Sequence, residues 1–144
     1  MKSLNRFSLT VGLVLLALLL LPFAYGQQGP GYGQRARMYN PANETTVKGT
    51  VEDVKTITGR GGWNGTHLTL KTGDKSIDVH LGPAAFLKEK GFSFAKGDQI
   101  EVTGAKTEFG GSEAIIAREV TKGKKTLVLR NAQGIPEWAG GRRG

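Results

Sequence analysis

The sequence predicts an all-β fold, a small barrel of short antiparallel strands with one short helix between the third and fourth strands and an extra strand near the C-terminus. Three observations carry that reading. Apolar residues alternate with polar ones in short runs and do not recur at helical spacing. Glycine makes up 22 of 144 residues, which suits tight turns and works against long helices. The runs His67 to Thr72 and Lys75 to Leu81 alternate strictly on either side of the two-residue turn Gly73-Asp74. A chain of this length, 38% hydrophobic, forms one domain with a small core. It has no cysteine, so disulfides, thiolate metal sites, a thiol nucleophile and a lipoprotein anchor are all excluded.

Residues 1–26 have the form of a secretory signal. Lys2 and Arg6 precede an apolar stretch from Leu9 to Leu21, and Ala24 and Gly26 offer small side chains ahead of a cleavage before Gln27. The alternative is an uncleaved anchor, but Ser8, Thr10, Gly12 and Pro22 interrupt the apolar run. Cleavage would remove two basic residues and no acid, leaving +6 of the chain's +8 charge, with no further segment able to insert in a membrane. The expected location is exported, periplasmic or secreted. Such a charge suits polyanion binding and simple solubility equally.

Residues 27–45 are rich in Gly, Gln, Pro and Arg and read as a flexible lead. The barrel is expected over 46–130. A first strand runs from Thr46 to near Thr58, with one extra residue at Glu52-Asp53 marking a bulge. Gly59 to Gly65 is a loop carrying Arg60 and Trp63. In the hairpin that follows, Leu68, Leu70, Ile77, Val79 and Leu81 share one face. Pro83 at the first position and Gly91 at the end bound a two-turn helix that buries Phe86 and Leu87. Gln99 to Thr103 is the fourth strand, Lys106 to Gly111 a loop carrying Phe109, and Ser112 to Thr121 the fifth strand. Lys125 to Arg130 is the extra strand. Residues 131–144 form a Gly-rich tail in which Ile135, Pro136 and Trp138 are candidates to tack the segment onto the barrel.

Three strands, a helix and two strands in this order describe the OB-fold, a five-stranded Greek-key barrel. Val47-Lys48-Gly49-Thr50-Val51 and Gly97-Asp98-Gln99-Ile100-Glu101-Val102-Thr103-Gly104 resemble the first and fourth strands of bacterial OB-fold domains. From about Thr46 to Trp138 the chain resembles small exported bacterial OB-fold proteins of the type described as DNA-binding. The resemblance specifies the fold well and the ligand poorly, because many functions share this barrel.

OB barrels bind on the outer face of strands two and three, between the loops joining strands one–two and four–five. There Trp63 and Phe109 are candidates to stack on bases, with Arg60, Lys71 and Lys106 for phosphates, which suits a flexible polyanion or single-stranded nucleic acid. The alternative for Trp63 is packing over the barrel mouth. An envelope protein is a second candidate partner for the same face.

With Gly73-Asp74 as the turn, Leu70 faces Ile77, Leu68 faces Val79 and His67 faces His80. Opposed Cβ atoms lie about 4.5–5.5 Å apart, close enough for His67 and His80 to share a transition metal or to serve a haem. No cofactor is otherwise implied, and two histidines alone leave a metal site incomplete. Exported OB-fold copper chaperones resemble this chain in size, and Trp63 and His67 match theirs in kind. They also use methionines, and none follows Met38 here. No nucleophile turn, triad spacing or phosphate loop is present, so the expectation is a protein that binds and does not catalyse.

Overall fold

A computed structural model describes residues 38–140. The expected signal segment, the first part of the expected lead and residues 141–144 lie outside the described residues. The strands are β1 (Glu44–Thr58), β2 (Asn64–Thr72), β3 (Lys75–Pro83), β4 (Gln99–Phe109), β5 (Ser112–Lys122) and β6 (Lys125–Val128), with helix α1 (Ala84–Glu89) between β3 and β4. They form a sheet in the order β3-β2-β1-β4-β5-β6, and a parallel pairing of β3 with β5 closes the first five into a barrel. The predicted OB-fold arrangement is therefore the observed one, with β6 as the extra strand.

Closure depends on β1, which is long enough to serve two partners. Its first half pairs with β4 and its second with β2, and Thr50 faces both Gln99 and Lys71. Val51 pairs with Leu70 and Asp53 with Thr69, so Glu52 is the extra residue of a bulge that bends the strand at the changeover. In the hairpin, Leu68 faces Val79, Leu70 faces Ile77 and His67 faces His80. A slip of one residue would turn Leu68, Leu70, Ile77, Val79 and Leu81 out to water, at about 1.5–3 kcal/mol each. Those five side chains meet Val51, Ile100, Val102, Ile115, Val120, Leu127 and Leu129 inside the barrel, and Phe86 and Leu87 of α1 pack onto the same core.

Four boundaries differ from the sequence expectation. Lys106 to Phe109 is strand, not loop, and only Gly110-Gly111 turns between β4 and β5. Core-facing parity is kept along β4 through Ile100, Val102 and Gly104, but Gly104 and Lys106 put no apolar side chain at those positions, so the apolar alternation stops while the strand continues. The extra residue where the register shifts is Arg118 of β5. Pro83 ends β3 and caps α1 from outside, one position before the first helical residue. The extra strand ends at Val128, and Arg130 instead bridges Pro136 as the chain turns back.

The fourth difference is at the start. The barrel begins at Glu44, and Tyr39, expected in the flexible lead, is buried against Ala105 and Ile116. Its hydroxyl donates to Glu44 Oε2 at 2.6 Å, and Arg118 Nε and Nη2 donate to the same carboxylate at 3.0 and 2.8 Å. Burial, reinforced by the Glu44 hydrogen bond, pushes the Tyr39 phenol up to about 12. The Arg118 hydrogen bonds hold Glu44 below the usual carboxylate range.

Candidate functional site

Residues that alternate with the core on β2 and β3 point outward, and the barrel gathers some of them into a groove of about 300 Å³. Its walls include Ile57 from the end of β1, His67 from β2, His80 from β3, Phe109 from the tip of β4 and Ile116 from β5. Each is placed by register. Lys55 pairs with His67 and Ile57 with Gly65, which sets Ile57 on the His67 side of β1. His80 pairs with His67 on one side and Ile116 on the other, so it lies at the barrel's closing seam.

The two imidazoles stand with ring centroids 3.9 Å apart and tilted by 42°. The Phe109 ring stacks on His80 at 4.4 Å with only 11° between the planes. Burial pushes His80 down to about 4, helped by the neighbouring His67 and Arg130 and opposed by Asp78. Burial also lowers His67, opposed by Asp78 and reinforced by Lys55. Both rings are therefore neutral near pH 7 and behave as flat, weakly polar surface.

Trp63 enters the groove from the β1–β2 loop and Trp138 from the segment after β6, and both rest on glycine. Ring atoms of Trp63 occupy the space that a Cβ on Gly59 or Gly65 would need. Trp63 is thus half-buried across its own loop and still part of the groove wall. Trp138 lies over Gly82, whose φ of 152° already favours glycine, with ring carbons 2.5–3.0 Å from where a Cβ would stand. Its ring also meets Phe86 at 5.2 Å. Of the three residues proposed to tack down the tail, Pro136 and Trp138 reach the groove and Ile135 is exposed.

Of the ligand-binding residues expected from sequence, Trp63 and Phe109 come together here with His67 and His80. The three cations do not join them. Arg60 is exposed in the β1–β2 turn. Lys71 is on the outer face but four residues along β2 from His67, about 13 Å away. Lys106 pairs with Ile115, a core residue, so it points away from the face that carries Phe109, and it forms an ion pair with Glu113 at 3.2 Å. The cation that does line the groove is Arg130, which sequence reading left as the end of a strand. Its only sequence signal was an arginine beside an apolar run, a pattern found on many solvated strands.

Among the described residues no group of three or more His, Cys, Asp or Glu is placed to hold a metal ion. No helix among them is long and apolar enough to cross a membrane.

A family model described as the MamS/MamX magnetosome protein family matches residues 43–127. The chain belongs to the MamS/MamX family. The match spans the barrel from the residue before β1 to the middle of β6, and so includes Ile57, Trp63, His67, His80, Phe109 and Ile116 of the groove. Arg130, Pro136 and Trp138 lie beyond the matched residues of this MamS/MamX chain. No curated protein matches it. The small barrel of the resemblance drawn from sequence stands; the family shown is MamS/MamX, and it brings no statement about nucleic acid.

Proposed function

We propose that the chain is a non-catalytic binding module serving the magnetosome, and that its ligand places a flat ring in the outer groove of the β2–β3 hairpin. The observation that carries this reading is the convergence of Trp63, His67, His80 and Phe109 on one groove of about 300 Å³. Pockets of that size with aromatic walls and few polar groups suit small ligands or a single projecting group. Membership of a magnetosome family supports the setting, and the signal-like N-terminus supports export. A flexible polyanion or single-stranded nucleic acid is one source of such rings. Its backbone would draw on Arg60, Lys71 and Lys106, which lie apart, so an extended track gains less support than one compact site.

The test is an amide NMR titration of the labelled full chain with a short oligonucleotide and with an apolar-aromatic peptide, at low and moderate salt. Shifts centred on Trp63, His67, His80 and Phe109, reduced in Trp63→Ala, are expected. Shifts confined to the surroundings of Lys71 and Lys106, fading with salt, would replace the groove with the extended polyanion surface.

The imidazole pair supports a second reading. Neutral imidazole is the metal-binding form, and two rings 3.9 Å apart can share a transition ion whose other positions stay open. Copper(II) or zinc(II) titration checks it: binding lost in both His67→Ala and His80→Ala is expected, and equal binding in either variant rejects it.

A further inference from the structure

Two arginines of this barrel sit in opposite electrostatic settings. Arg118 meets Glu44 at 2.8 Å and Glu119 at 2.7 Å. Arg130 meets no carboxylate among the described residues. Its Nη1 donates to the Leu81 carbonyl at 2.9 Å and also to the Ala117 carbonyl, joining β3 and β5 just past their last paired residues. The Trp138 ring covers the guanidinium, with its centroid 4.9 Å from Cζ. Burial is the main cause that pushes this arginine down to about 10, which still leaves it fully charged at neutral pH.

Arg130 also lines the groove. With both imidazoles neutral, it carries the one formal charge among the described lining residues at pH 7. A cation held in an apolar wall without an anion has lost much of its hydration, and two carbonyl dipoles and the Trp138 ring face leave its formal charge unbalanced. The groove therefore has one uncompensated positive charge beside an aromatic wall, a complement for a ligand with one negative charge and one ring.

We infer that the groove selects a small aryl carboxylate, with its ring against Trp63, His80 and Phe109 and its carboxylate on Arg130. This rests on the groove being the binding site. A guanidinium fork matches a planar carboxylate, and one cation balances one anion. A groove of about 300 Å³ accommodates a ring with a short acid side chain. A polyanion would bring further charges to a wall with no cation to meet them.

Calorimetric titration of the full chain at pH 7.5 tests this with four probes: phenylacetate, its uncharged isostere phenylacetamide, acetate and phenyl phosphate. Phenylacetate is expected to bind about tenfold tighter than phenylacetamide, the worth of one charge-assisted hydrogen bond. Acetate is expected to be the weakest, for want of a ring. Equal affinity for phenylacetate and phenylacetamide would overturn the role of Arg130 while leaving the groove as a binding site. Tighter binding of phenyl phosphate would overturn the carboxylate class. No binding by any probe would overturn the inference, and the NMR titration above would then decide separately whether the groove binds anything. Arg130→Met should abolish the preference of phenylacetate over phenylacetamide; because Arg130 also joins two strands, the probe comparison on the unaltered chain stands even where that variant fails to fold.

Discussion

The two faces of the β2–β3 hairpin are built from the same two strands and the same register, yet they do different things. The inner face is Leu68, Leu70, Ile77, Val79 and Leu81, packed into the barrel. The outer face divides along its length. Toward the turn it is Lys71 and Ser76, both exposed, with Ser76 donating to Glu52 at 2.5 Å. Toward the far end it is His67 and His80, with Phe109 from β4 stacked on His80 and Ile57 and Ile116 lining the same groove. The inner face teaches that alternation alone sets a core. The outer face teaches that a groove needs other strands to lean over the hairpin, and only one end of it receives them.

The contrast is sharpest under mutation of the inner face. Leu68→Ala removes a fully buried side chain and should cost about 2–5 kcal/mol, read as a lowered urea midpoint. Next is the boundary between the faces. Gly82→Ala forces a side chain into the Trp138 ring at a φ that disfavours it, and a cost of about 1–3 kcal/mol with a changed tryptophan emission is expected. A variant that kept both stability and emission would show that Trp138 is not held against Gly82.

The outer face should respond to acid. The pKa of His80 is about 4 in the fold against an ordinary 6.5, so between those values the unfolded chain holds a proton that the folded chain excludes. Its full contribution is present above pH 6.5 and is lost progressively as the pH falls toward 4. Burial is the main cause of this shift, reinforced by His67 on β2 and Arg130 beyond β6 and opposed by Asp78 on β3. His67 shifts in the same direction and adds to the slope. Urea midpoints across that window should fall with pH in the parent chain and fall less steeply in His80→Gln; identical slopes would place the acid sensitivity elsewhere. The smallest effect belongs to the open end of the same face. Lys71→Ala should change stability by no more than about 0.5 kcal/mol and leave phenylacetate binding unaltered.

Much of this was readable from residues alone. The Gly73-Asp74 turn and the alternation around it determined the hairpin register, and with it the apposition of His67 and His80. A period of two excludes a one-residue slip, which would expose Leu68, Leu70, Ile77, Val79 and Leu81, and the two-residue turn selects among the registers that remain. The order of strands around one short helix determined the barrel, and the extra residue at Glu52 determined where β1 bends. The position of Trp63 and Phe109 beside the hairpin followed from that topology.

What only the tertiary structure decided is which charge belongs to the site. Lys106 looked like a loop cation because Gly104 and Lys106 leave the core-parity positions of the second half of β4 without apolar side chains, and pairing with Ile115 turns it to the face opposite Phe109. Arg130 and Trp138 come from the far end of the chain and reach the groove only because the segment after β6 folds back over Gly82. Local sequence specifies which face of a strand a residue occupies, since that depends on parity. It does not specify which distant strand end will cover that face, since that depends on how the barrel closes.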